Sequence, residues 1–189
     1  APHPDIDQLA DRIAENPGFI AIGGLARSGK STLSWLLKRR LRERGIQVLH
    51  VQLDDWILPA DERAEHTSLH ERYNWERLTS SIESLVQSGR CDAPGYDNRR
   101  RARPKQPVSY VRGDAQVVLL EGVPALLLQT GFSLGVFVEV HEPTRQERIS
   151  QWHSLRNGSG TIDPQEDTLV QDSQKKADLV FRFAKDSPQ

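Results

Sequence analysis

The chain has 189 residues, a formal net charge of −1 and one cysteine, Cys91. That length can bury a substantial core within one domain. The near-zero charge supplies no global field for nucleic acid or a membrane surface, a lone cysteine forms no internal disulfide, and no apolar run approaches the ~18 residues that span a bilayer.

Ile6, Leu9, Ala10 and Ile13 recur at helical spacing, and Asn16-Pro17-Gly18 ends that helix. The apolar run Phe19–Ile22 reads as a strand. It leads into Gly24-Leu25-Ala26-Arg27-Ser28-Gly29-Lys30-Ser31-Thr32 and then into a helix carrying Leu33, Leu36, Leu37 and Leu41, which stops at Gly45. A second strand spans 48–53 and ends at Asp54-Asp55. Residues 56–74 are polar and irregular. Glu76 to Ser88 carries Leu78, Ile82, Leu85 and Val86 at helical spacing, and Gly89 closes it. Residues 90–113, rich in Pro, Gly and Arg, read as a loop or short hairpin. Val117–Leu120 is a buried strand ending at Glu121, and 123–129 is apolar and read as helical. Val136–Val140 is a fourth strand, 144–156 a helix broken by Asn157-Gly158-Ser159-Gly160, and Leu179–Phe181 a fifth strand. Asp163-Pro164-Gln165-Glu166 has the form of a capping box with proline at the first helical position. Alternating strands and helices imply an α/β fold, a parallel sheet of about five strands with helices on both faces.

The stretch from Gly24 to Ser31 is a full G-x-x-x-x-G-K-S pattern in strand–loop–helix context, which marks a phosphate-binding loop. Glycines let backbone N–H groups close around an anion, and the helix that follows adds the positive end of its dipole. Gly24, Ala26, Arg27, Ser28, Gly29, Lys30, Ser31 and Thr32 therefore form the expected nucleotide cradle. Lys30 is expected to face solvent in an empty site and to reach the β- and γ-phosphates of ATP, with the Ser31 hydroxyl on Mg²⁺.

Ligands of such sheets sit at the carboxyl ends of the strands, where Asp54-Asp55 and Glu121 also fall. A carboxylate there can take a proton from an attacking hydroxyl or hold the metal's water shell, or simply be solvated. Glu121 can orient Mg²⁺, which prefers oxygen ligands. Asp54 is the first acidic residue after the strand and the candidate base, with Asp55 as the alternative. Arg145, Arg148 and Arg156 lie on one helix and its exit before a glycine-rich hinge; arginine there can neutralise a transferring phosphoryl group, or can belong to a solvated face. Arg99, Arg100, Arg101 and Arg103 form either a solvated loop or a phosphate patch. His66 and His70 have four-residue spacing but no third ligand, and read as a surface pair. No Asn-Lys pair occurs, so a base-reading GTPase motif is missing.

Taken in order, these segments resemble the uridine kinase family and its P-loop relatives nicotinamide riboside kinase, pantothenate kinase and phosphoribulokinase. The resemblance is carried by Gly23-Gly24 through Thr32, Leu53-Asp54-Asp55-Trp56, Pro94-Gly95-Tyr96-Asp97 with Arg103 beyond it, Leu120-Glu121-Gly122, the helix arginines Arg145 and Arg148, and Ala177-Asp178 before the last strand. It implies a three-layer P-loop kinase sandwich over 1–189, with an acceptor-binding insertion at about 56–113 and a lid at about 145–163. It further implies ATP- and Mg²⁺-dependent phosphorylation of a hydroxyl on a small molecule. Asp54 would be the base; Ser31, Asp54 and Glu121 the metal partners; Lys30, Arg148 and Arg156 the phosphate contacts; and Trp56, Tyr73, Tyr96, Arg101 and Arg103 the acceptor contacts. Three departures alter the acceptor side: Trp56 is followed by Ile57 rather than tyrosine, Arg101 stands where nucleoside kinases place histidine, and Asn74 falls near their ribose-binding acid. The arginine supply there favours an anionic acceptor. The alternatives are a kinase of a nucleic-acid or nucleotide end and a nucleotide-binding regulator with weak NTPase activity. Nucleic acid and membrane partners are not favoured, a homo-oligomer is allowed, and the single cysteine and unremarkable first residues fit a cytoplasmic protein.

Overall fold

The computed structural model describes residues 4–64, 67–104, 106–155 and 163–183. Helix α1 (Ile6–Glu15) opens with a reciprocal cap: the Gln8 N–H donates to the Asp5 carboxylate at 2.8 Å, and the Asp5 N–H donates to the Gln8 side chain at 3.1 Å. Its buried face is Leu9, Ala10 and Ile13. Strand β1 (Phe19–Gly23) is buried throughout, as a central parallel strand must be. Helix α2 (Lys30–Glu43) follows the glycine loop. Strand β2 (Val48–Gln52) runs into a single 3₁₀ turn, Leu53–Trp56, that carries both aspartates.

The segment expected to be irregular contains a 3₁₀ turn at Ala60–Glu62 and a one-turn helix α3 (Leu69–Arg72), capped reciprocally by Ser68 and Glu71. Helix α4 (Trp75–Ser88) packs on an antiparallel hairpin of β3 (Arg90–Ala93) and β4 (Val108–Val111), so the hairpin alternative holds for residues 90–113. Cys91 lies buried in that hairpin, and burial pushes its thiol up to about 11, which makes it unreactive.

Strands β5 (Val117–Glu121), β6 (Leu134–Glu139) and β7 (Leu179–Arg182) complete a five-stranded sheet in the order β2-β5-β1-β6-β7, parallel at every pairing. Helices α5 (Glu142–Leu155) and α6 (Pro164–Asp172) precede β7. Alternate strand residues feed two cores. Ile20, Ile22, Leu119 and Val136 pack with α1 and α2 on one face, while Ala21, Val118, Leu120 and Phe137 pack with α4 and the hairpin on the other. This is the expected α/β sandwich. Among the described residues no helix is long and apolar enough to cross a membrane.

Two local expectations are corrected. Residues 123–129 hold only a 3₁₀ turn, Ala125–Leu127, because Leu126 fills the space left by two strand glycines: a Cβ on Gly23 would lie 2.8 Å from its Cγ, and one on Gly135 3.2 Å from its Cδ2. Short apolar runs buried all round carry no period that separates helix from turn. The cap of α6 is also one-sided. Asp163 accepts from the Gln165 N–H, but the Glu166 carboxylate does not return to the cap; it pairs with Arg72.

Candidate active site

The sheet register brings three strand ends together. Glu121, the last residue of β5, stands opposite Ile22 of β1 on one side and Gln52 of β2 on the other. The phosphate loop and Asp54 therefore flank it. All three border one open cleft of about 1260 Å³, and Ala26, Arg27, Gly29, Lys30, Ser31, Thr32, Asp54 and Glu121 line it.

The loop closes as its glycines require. Gly24 has φ +142°, and a Cβ there would sit 2.5 Å from the Val138 carbonyl oxygen; Gly29 caps α2 in the left-handed region at φ +101°. Ser28 donates its N–H to the Leu25 carbonyl at 3.1 Å, and its hydroxyl is buried with no hydrogen-bond partner among the described residues. The Ser31 hydroxyl donates to Glu121 at 3.2 Å, and His50 Nε2 stands 3.7 Å from the other Glu121 oxygen. Lys30 departs from expectation. It is buried, not solvent-facing, and its ammonium donates to the Leu25 carbonyl at 2.8 Å. Burial pulls its pKa below the usual lysine value, against the attraction of Glu121 and Asp54.

Helix α5 braces this loop from outside. Arg148 donates to the Arg27 carbonyl at 3.0 Å and lines the cleft, and the Arg27 guanidinium stacks over Trp152 at 4.5 Å. Arg145 is buried. It donates to the Ala26 carbonyl at 3.0 Å, and one terminal nitrogen donates to both oxygens of Asp167 at 2.6 and 2.8 Å, so it is a strut, neither a free phosphate ligand nor part of a solvated face. Arg156, the 158–160 hinge and His66 lie outside the described residues.

Across the cleft, Asp54 accepts from the Tyr73 hydroxyl at 2.7 Å through one oxygen and from the Asn98 amide at 3.3 Å through the other. Tyr73 is buried, and desolvation and the neighbouring Asp54 charge hold its hydroxyl well above the ordinary tyrosine value, so it stays a donor. Asp55 turns away into the core, where it accepts from Tyr110 and where burial raises its pKa. Tyr96 lines the cleft and accepts from Arg63 at 2.7 Å, and Arg101 lines the same wall.

Two expected acceptor contacts are corrected. Trp56 is fully buried, stacked on Tyr110 with ring centroids 5.9 Å apart, and its indole N–H donates to Ser81 at 3.1 Å; the 3₁₀ turn points it into the core. Arg103 donates to the carbonyls of Ile57 at 2.8 Å and Gly95 at 3.1 Å and does not border the cleft; it ties the hairpin base to the turn after Asp54. Sequence reasoning missed Arg63, Asn98, Arg72 and Glu166. The last two form a 2.8 Å ion pair on the cleft wall, and the Arg72 guanidinium lies 5.1 Å from the Tyr73 ring. Asn98 directly follows the Tyr96-Asp97 motif and could have been suspected; the other three carry no local signal.

No protein-family model matches the chain. It is 25% identical over 187 residues to the uridine kinase of Mycoplasma pneumoniae, covering 88% of this chain and 85% of that one. It is also 25% identical over 186 residues to the uridine kinase of Halobacterium salinarum, covering 87% and 80%. Among solved structures, a candidate uridine kinase from Bacillus stearothermophilus superposes with a TM-score of 0.66 at 23% identity, over 93% of this chain and 96% of that one. A candidate fructose transport system kinase from Silicibacter sp. TM1040 gives 0.70 at 18% identity, over 94% and 99%. Sequence and fold agree: over most of its length the chain is similar to curated uridine kinases at 25% identity, and it shares the fold of these solved kinase structures.

Proposed function

We propose that this chain transfers the γ-phosphoryl group of ATP to a hydroxyl of a small molecule, with Asp54 as the base. The observation that carries the reading is the placement of Asp54 across one cleft from Lys30 and Ser31, with Glu121 between them. ATP would lay its phosphates on the loop from Gly24 to Thr32. Lys30 would exchange the Leu25 carbonyl for phosphate oxygens, and Arg148 would do the same with the Arg27 carbonyl, so charge spreading over the transferring group meets cations already held nearby. The donor set of Ser31, Glu121 and Asp54 is all oxygen and suits Mg²⁺, which would neutralise phosphate charge.

Asp54 is held for proton acceptance. Tyr73 anchors one of its oxygens, and the longer 3.3 Å bond from Asn98 marks the other as the one an incoming hydroxyl can take over. The acceptor oxygen bonds to the γ-phosphorus, the bond to the ADP oxygen breaks, and the hydroxyl proton goes to Asp54. Residues 56–113 then serve as the acceptor-binding insertion and 145–163 as the lid, with Arg156 able to join the phosphates from the latter. The cleft wall at Tyr73, Tyr96 and Arg101 receives the acceptor, and its arginine content favours a negatively charged one. The test is ADP release from ATP and Mg²⁺ across a panel of hydroxyl compounds. Release that rises with one acceptor class and yields its phosphate ester supports the reading; slow release indifferent to every acceptor contradicts it.

A further inference from the structure

The acceptor wall carries an unbalanced pair of charges. Arg63 ends the 3₁₀ turn at Ala60–Glu62, and Arg101 sits in the hairpin tip with its backbone in the left-handed region at φ +55°. The two segments are stapled together: the Ala60 N–H donates to the Arg101 carbonyl at 2.9 Å, and the Arg101 N–H donates to the Asp97 carbonyl at 2.7 Å. Both residues line the cleft that holds Asp54.

Arg63 is fixed but not neutralised. Its Nε donates to the Leu58 carbonyl at 2.6 Å and one terminal nitrogen to the Tyr96 hydroxyl at 2.7 Å, with the guanidinium 5.4 Å from the Tyr96 ring. These partners set the plane of the fork and leave its charge intact. The nearby acids are committed elsewhere. Asp97 accepts the Arg99 and Arg100 N–H groups and faces the Arg100 side chain at 3.7 Å; Glu62 faces Arg103 at 3.9 Å; Glu166 holds Arg72 at 2.8 Å; Asp54 holds Tyr73 and Asn98. Among the described residues no carboxylate forms an ion pair with Arg63 or Arg101. Two like charges on one wall repel, and the wall gains most from a ligand that brings the missing anion.

We propose that the acceptor carries a carboxylate or a phosphate in addition to the hydroxyl it offers to Asp54, and that Arg63 and Arg101 hold that anion. The substrate class is then a hydroxy acid or a phosphorylated hydroxyl compound rather than a neutral nucleoside. The Arg63 fork is oriented in advance by Leu58 and Tyr96, and guanidinium groups suit both oxyanions. This inference rests on the kinase reading and on Asp54 as the base.

The test is calorimetric binding to the intact chain saturated with ADP, using matched probes: glycerol, glycerate and glycerol 3-phosphate; ribose and ribose 5-phosphate; uridine and uridine 5′-monophosphate. In at least one series a charged probe should bind about tenfold or more tightly than its neutral partner, more weakly as salt rises. The series in which this happens separates carboxylate from phosphate. Arg101→Gln, whose side chain makes no hydrogen bond among the described residues, and the double variant with Arg63→Gln should erase the preference while ADP affinity is kept. Neutral probes binding as well as charged ones, a charge preference that survives the double variant, or no binding of any charged probe at millimolar concentration would each overturn the inference. Failure of the underlying kinase reading looks different, because ADP release from ATP and Mg²⁺ would then stay slow and indifferent to every acceptor, charged or neutral.

Discussion

The two ends of the cleft are built in opposite ways. The proposed nucleotide end is one contiguous stretch, Gly24 to Thr32, whose shape follows from its own glycines and the helix behind it. The proposed acceptor end is assembled from the turn after β2, the end of α3, the hairpin tip and the start of α6, and depends on bonds such as Tyr73–Asp54, Arg63–Tyr96 and Arg72–Glu166. A local motif specifies its chemistry at any address in the fold. A dispersed wall can change its ligand by exchanging single residues while the sheet and the loop stay as they are.

The largest expected contrast lies between Lys30 and the loop around it. Lys30→Ala should lower kcat by about 10²–10³-fold, the usual effect of removing one fixed donor to transition-state charge. The melting temperature should change little, because one carbonyl bond is lost and a desolvated charge is removed with it. Steady-state kinetics and thermal melts on the same preparation check this. On the acceptor side, Trp56→Ala should do the reverse. It should cost about 3–5 kcal/mol of stability, as other large aromatic truncations in cores do, and leave the KM for the acceptor near wild type in the folded fraction, since the side chain is fully buried against Tyr110. Urea unfolding and acceptor titration separate these effects.

How legible each region was follows from the same contrast. The strands, their order of helices and the residues from Gly24 to Ser31 could be read because each is announced within a few neighbours. The places of Asp54 and Glu121 could be read because one closely follows a strand and the other is the last residue of one. Trp56 and Arg103 were misassigned because adjacency to a motif says nothing about which way a 3₁₀ turn or a hairpin base points a side chain. Arg63 and the Arg72–Glu166 pair were invisible because partners 33 and 94 positions apart, Arg63 with Tyr96 and Arg72 with Glu166, meet only through the tertiary fold. Residues 123–129 were misread because burial on all sides erases periodicity.

Two smaller effects sharpen the comparison. Arg145 and Arg148 both hold carbonyls of the phosphate loop, yet only Arg148 borders the cleft. Arg145→Ala should therefore cost about 2–3 kcal/mol of stability by stranding Asp167, and Arg148→Ala should lower kcat with little loss of stability; denaturation curves and initial rates on both variants decide. Asp55 gives the smallest effect. Its carboxyl is raised above the ordinary value of 3.8 mainly by burial. The stability it contributes is present below that value and is lost as pH rises through the raised native value. Asp55→Asn should thus gain on the wild type in melting temperature as pH rises above about 4, as parallel melts over a pH series would show.

The most direct measurement sets Asp54→Asn beside Asp55→Asn in acceptor-dependent ADP release, with ATP binding followed separately. Asp54→Asn should bind ATP normally and lose about 10²–10⁴-fold in transfer, the span expected for a general base, while Asp55→Asn stays near wild type. Transfer that survives in Asp54→Asn and fails in Asp55→Asn would contradict the assignment of the base and, with it, the placement of the acceptor across the cleft.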